Sequence, residues 1–198
     1  SSLQGVKQPV ICHELGQWCA YPDFDVIDKF TGYMKPGNYM VFKEQAGKQG
    51  LLSLNKRPAW CSGRNQLRLY KEELEANFRN PEITGSELLD LHDYLGQGTA
   101  LVGLLDAFWE SKGYAEASEF RAFCGETVLL TRCPSYVWKN TDKVEIPVEV
   151  CHFGKAALKD CVVKWRLLQK NDASKVFREG NIICPEIKCG ENTSLGNI

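Results

Sequence analysis

Pro9-Val10-Ile11-Cys12-His13-Glu14-Leu15-Gly16-Gln17-Trp18 is the stretch whose reading decides the fold expected of this chain. A short apolar run delivers a glutamate beside a histidine, then a glycine and a tryptophan. A buried strand that ends in a carboxylate next to an aromatic is how a parallel α/β barrel presents an acid to a sugar, because barrel active sites lie at the C-terminal ends of strands. The reading therefore points to glycoside chemistry. It also predicts a piece of a larger protein, since this strand stands almost at the first residue.

Composition narrows the classes. The 198 residues are 43% hydrophobic and 25% charged, with a formal net charge of −1. That balance gives no basic footprint for a nucleic acid. No apolar run reaches the roughly 18 residues that span a membrane. The cysteines number nine, an odd count, so at least one thiol is unpaired within the chain. Several stand in apolar runs, where cysteine behaves as a small buried hydrophobe. Most are expected to be reduced, and Cys184–Cys189 is the pairing a disulfide would take. No metal site is expected: there is no CxxC pair, and Cys12-His13 with Cys19 lacks zinc spacing. No cofactor is expected either. Gly96-Gln97-Gly98 has neither the lysine of a phosphate loop nor dinucleotide spacing.

Further along, Asp25 to Tyr33 and Tyr39 to Gln49 have helical spacing, and residues 51–63 read as a loop. Arg64 to Arg79 is the clearest helix, with Leu67, Tyr70, Leu74 and Phe78 on one face. Residues 83–91 read as a second barrel strand, Ala100 to Lys112 and Ala115 to Cys124 as helices. Strand, helix, strand, helix is a β/α-barrel pattern. From about residue 128 the period falls to two. Residues 144–150 and 162–168, the turn at Asn171-Asp172 and the segment from Lys175 predict an antiparallel sandwich. The expected domains are 1–127, the end of a barrel, and 128–198, part of a sandwich.

Five segments then carry a family resemblance: His13-Glu14-x-Gly16-Gln17-Trp18; Tyr70-Lys71-x-x-Leu74-Glu75-Ala76; Gly85-x-x-Leu88-Leu89-x-Leu91-x-Asp93; Gly96-Gln97-Gly98-Thr99-Ala100-Leu101-Val102-Gly103; and Asp106-Ala107-Phe108-Trp109. In this order they resemble the end of the catalytic barrel in glycoside hydrolase family 2, in particular the β-galactosidase-like, sugar-binding-domain members of gut Bacteroidetes. Residues 128–198 are similar to the immunoglobulin-like sandwich that follows it there. His92 departs from the pattern, where close relatives carry Asn.

The resemblance implies a α/β fold, the last two β/α units of a (β/α)8 TIM barrel, followed by a partial antiparallel sandwich. It implies a retaining β-glycosidase with Glu14 as nucleophile and its acid/base glutamate upstream of this chain. This chain alone is then expected to be inactive and to need its missing part or self-association. A periplasmic or secreted location follows from the same likeness.

A retaining enzyme places two carboxyls about 5–5.5 Å apart, one to attack the anomeric carbon and one to protonate the leaving oxygen. Glu14 suits the first role because a strand end fixes its approach. His13 and Gln17 are candidates to bond that carboxylate or a sugar hydroxyl. Trp18 is a candidate stacking surface for a sugar ring, and Trp109 a core residue or a pocket floor. His92 and Asp93 follow the second strand and are candidates for sugar hydroxyls or for a structural cap. The alternative function is a non-catalytic carbohydrate-binding or scaffolding protein.

Overall fold

The computed structural model describes residues 3–98, 100–190 and 192–198. Thr99, in the glycine-rich loop, lies outside them. The chain divides into two compact units, Ser1–Cys124 and Gly125–Ile198.

In the first unit, strand β1 (Ile11–Leu15) pairs in parallel with β2 (Gly85–Leu88), with Ile11 opposite Gly85 and Leu15 opposite Leu88. Between them the chain forms a 3-10 turn at Phe24–Lys29, helix α1 (Gly37–Lys48) and helix α2 (Lys56–Phe78). Helix α3 (Ala117–Phe123) closes the unit, with a reciprocal capping box between Glu116 and Glu119.

Helix α2 organises this unit. Leu67, Tyr70 and Leu74 recur at helical spacing and are buried against Leu15, Leu104, Tyr114 and Phe123. The helix starts eight residues before its predicted start. Pro58 falls in the first turn, where a missing N–H costs nothing. Gly63, in the segment expected to be a loop, is a packing residue: a Cβ there would meet the Tyr114 ring at 2.3 Å. A second cluster joins Phe24, Val26, Tyr39, Ala46 and Leu101.

Two expectations are corrected here. The first unit is not the end of a (β/α)8 barrel. Among the described residues its only ladder is the β1–β2 pair, and β2 is four residues long rather than the predicted 83–91. The helix predicted at 100–112 is not formed. Ala100, Leu101, Val102 and Leu104 are all buried, which is a run and not a helical stripe. The segment is irregular, with a turn at 107–109, and is held by isolated bridges, His92 with Leu105, Tyr94 with Ala100 and Leu105 with Ser111. Gly103 is what allows the close approach, because a Cβ there would lie 2.2 Å from the His92 backbone.

The second unit contains a three-stranded antiparallel sheet in the order β3 (Thr127–Thr131), β4 (Pro147–His152), β7 (Asn192–Asn197). It also contains a long two-stranded ribbon, β5 (Leu158–Gln169) with β6 (Asp172–Ile187). The predicted immunoglobulin-like sandwich is not formed. At its root the ribbon packs on the sheet through Val150, Cys184 and Ile187. Beyond the root it leaves Val162, Leu167, Phe177 and Ile183 exposed, and among the described residues of this unit no second layer covers it.

Candidate functional site

The turn after β1 is built by backbone geometry. Glu14 has φ +54° and Gly16 φ +86°, two left-handed residues within three positions. Only glycine serves at 16, because a Cβ would meet Tyr70 Cε1 at 2.1 Å. The chain then runs through Gln17 and Trp18 to Ala20, whose N–H donates to the Leu101 carbonyl at 2.9 Å.

Helix α2 pins this turn from below. The buried Gln66 amide donates to the carbonyls of Trp18 and Leu101, the latter at 3.2 Å. Its Oε1 accepts from the Tyr114 hydroxyl. The Tyr70 hydroxyl donates to the Val102 carbonyl at 2.6 Å. Burial pushes the Tyr70 and Tyr114 phenols far up, so both remain neutral donors at any ordinary pH.

What the turn presents is a cleft of about 640 Å³ lined by Cys12 to Trp18 on one side and by Glu73, Ala76 and Asn77 of α2 on the other. The Glu14 side chain is exposed, and Gln17 Nε2 donates to its Oε2 at 3.3 Å. His13 Nε2 lies 3.6 Å from Glu87 Oε2, an exposed pair across β1 and β2. Trp18 is 39% exposed. The structure therefore brings His13, Glu14, Gln17 and Trp18 to one cleft. It adds two residues of α2 that were not among the expected site residues, Glu73 and Asn77. Glu73 Oε2 and Asn77 Nδ2 are buried and have no hydrogen-bond partner among the described residues. Their spacing of four on α2 is the signal that could have found them.

His92 and Trp109 sit together elsewhere and do not line this cleft. Their rings stack at 4.4 Å with an interplanar angle of 20°. Trp109 is 60% exposed and has φ +65°. His92 Nδ1 stands 3.0 Å from Asp90 Oδ2, close enough for an ion pair but without hydrogen-bond geometry.

Asp93 is 2% exposed. Its Oδ1 accepts from Lys112 Nζ at 2.6 Å and from the Gly103 N–H at 3.1 Å, and its Oδ2 from the Tyr39 hydroxyl at 3.0 Å. Burial pushes the Asp93 carboxyl up and the Lys112 ammonium down; the mutual charge opposes both shifts. The Gly103 N–H and the Tyr39 hydroxyl add donors to the carboxyl, and Lys112 Nζ also donates to the Gly103 carbonyl at 2.7 Å. Asp93 and Lys112 also line a larger cavity of about 700 Å³, with Lys29, Asp106 and Trp60 among its other walls. Asp106 is buried and accepts from Lys29, and from the N–H groups of Phe108 and Glu110 at 2.8 and 3.0 Å. Burial alone would raise its carboxyl, but these donors hold it below the usual carboxylate range.

Among the described residues no group of three or more His, Cys, Asp or Glu is placed to hold a metal ion. No described helix is long and apolar enough to cross a membrane. Among the described residues no two cysteines are joined, so the expected Cys184–Cys189 disulfide is not formed.

A comparison with known protein families matches part of the second unit. A family model described as a domain of unknown function (DUF8488) matches residues 142–198, which hold strands β4 to β7. No curated protein matches the chain.

Proposed function

We propose that this chain carries the nucleophile side of a retaining β-glycosidase, with Glu14 as the attacking carboxylate. The observation that carries the reading is the turn at Glu14 to Trp18. It holds an exposed carboxylate, an amide donor at 3.3 Å and a half-exposed indole in one recess. The order of residue types in the family 2 resemblance supports it. The proposal rests on that turn and that order, and it calls for no barrel.

In this reading a Glu14 oxygen attacks the anomeric carbon. The bond to the leaving oxygen breaks, and a separate carboxylic acid gives that oxygen its proton. The product is a glycosyl ester on Glu14. Water, deprotonated by the same second group, then displaces the sugar and frees Glu14. Gln17 orients the carboxylate, and Trp18 offers a flat face to the C–H side of the ring. The second carboxyl is expected from outside this chain.

The test is covalent trapping with 2-deoxy-2-fluoro glycosyl fluorides, in which fluoride leaves without an acid. The longest natural form of the protein is labelled and its peptides mapped by mass. A sugar on Glu14, absent from Glu14→Gln, is the expected result. Glu14 is exposed, so the substitution should leave the melting profile within about 0.5 kcal/mol of the parent. Binding of sugars with no label anywhere would point instead to a carbohydrate-binding protein. Turnover of an aryl glycoside by the purified 198-residue chain would refute the division of the two carboxyls.

A further inference from the structure

The β5–β6 ribbon holds two thiols in direct opposition. In the antiparallel register Cys161 is the partner of Cys184, between the pairs Lys159–Glu186 and Val162–Ile183. Directly opposed residues of an antiparallel pair project from the same face. Their Cα atoms stand about 4.5–5.5 Å apart, within the range of about 4.4–6.8 Å that a disulfide spans. Both residues belong to the same apolar cluster at the ribbon root, with Val150, Leu158, Ile187 and Leu195. Both are free thiols, Cys184 buried and Cys161 half-buried. The Cys161 thiol donates to the Lys159 carbonyl at 3.6 Å and the Cys184 thiol to the Glu186 carbonyl at 3.3 Å.

We propose that Cys161 and Cys184 form a cross-strand disulfide by exchange with a small-molecule disulfide, and that this bond staples the root of the ribbon. The need for a staple is structural. A two-stranded ribbon is marginal by itself, and this one leaves most of its residues exposed beyond the root. The chemistry is a two-step exchange. The more accessible Cys161, as thiolate, attacks one sulfur of the small disulfide and releases one small thiol. Cys184, as thiolate, attacks the Cys161 sulfur of the mixed disulfide and releases the second. The two protein thiols are oxidised, the small disulfide is reduced to two thiols, and the two protons pass to the leaving thiolates.

Neighbouring thiols do not compete. Cys151 is buried in β4, and burial with the nearby Glu149 charge pushes its thiol up to about 11, which keeps it protonated. Cys189 lies beyond the end of β6 and has no place in the β5–β6 register.

The test equilibrates the full chain in a series of reduced and oxidised glutathione ratios. The samples are alkylated, digested and mapped by mass. The expected product joins the Cys161 and Cys184 peptides with the loss of two hydrogens, and it forms unchanged in Cys189→Ser. In Cys184→Ser, glutathione should remain on Cys161 as a mixed disulfide. The proposal is overturned if both thiols are still alkylated after unfolding from the most oxidising mixture, or if Cys184 is found joined to Cys189.

Discussion

Replacing Gly16 with alanine should unfold the turn that presents Glu14, and two glycines of the same unit let the cost be divided. Gly16 and Gly113 have similar left-handed backbones, φ +86° and +76°. A Cβ at Gly113 meets nothing within 4 Å, whereas one at Gly16 meets Tyr70 Cε1 at 2.1 Å and Cδ1 at 2.6 Å. Gly113→Ala therefore pays only the left-handed backbone penalty, about 1–2 kcal/mol. Gly16→Ala pays that and must also displace Tyr70, whose ring is 1% exposed and whose hydroxyl is tied to the Val102 carbonyl. Overpacking of this kind costs about 1–3 kcal/mol more. The total, about 2–5 kcal/mol, is a large fraction of a small domain's stability. Urea unfolding of the two variants and the parent, followed by tryptophan fluorescence, measures the difference. An equal shift of midpoint for Gly16→Ala and Gly113→Ala would refute the argument, because it would mean that Tyr70 does not occupy the space beneath the turn.

Other consequences follow from the buried charges. Asp93→Asn leaves Lys112 buried without its counter-charge, and breaking such a pair should cost about 3–5 kcal/mol in the same urea assay; Asp93→Asn with Lys112→Met should recover part of that loss. Asp106 sets an acid limit. Its folded-state carboxyl titrates below its unfolded value, so its contribution is present above the unfolded pKa of 3.8 and is lost as pH falls through the lower folded value. Melting temperatures from pH 6 down to pH 2 should fall less steeply for Asp106→Asn than for the parent in the acid part of that range, and parallel curves would contradict the assignment.

What could be read in the sequence depended on whether the signal was local. The strand at 11–15 and the second half of α2 were legible, because an apolar run and the stripe Leu67, Tyr70, Leu74 are each fixed by neighbours within a few turns. The first turns of α2 were not. They lie in the segment 51–63 that reads as a loop, yet Pro58 stands where a helix tolerates proline and Gly63 where Tyr114 presses against the backbone. The segment 100–112 was misread for the opposite reason. Leu101, Leu104, Leu105 and Phe108 mimic a helical stripe, but Gly103 lets the chain lie against the His92 backbone without forming a helix. The barrel expectation failed with it, since that helix was one of its units.

The candidate site divides along the same line. Glu14, Gln17 and Trp18 lie within five residues, so one turn brings them together and the sequence displays them as a group. Glu73 and Asn77 reach the same cleft from α2, nearly sixty residues away, and helical periodicity alone cannot tell a solvent face from a cleft face. Asp93 shows the harder limit. An aspartate after a strand reads as a ligand for hydroxyl groups, but here Lys112, Tyr39 and the Gly103 N–H share the two carboxylate oxygens. A carboxylate so engaged offers a sugar few lone pairs and instead fixes the segment that carries Leu101. Leu101 in turn accepts the Ala20 N–H and the Gln66 amide that hold the end of the Glu14 turn. Asp93 thus bears on the proposed nucleophile through the backbone it anchors, and this predicts that Asp93→Asn slows labelling of Glu14 even at temperatures where the variant stays folded.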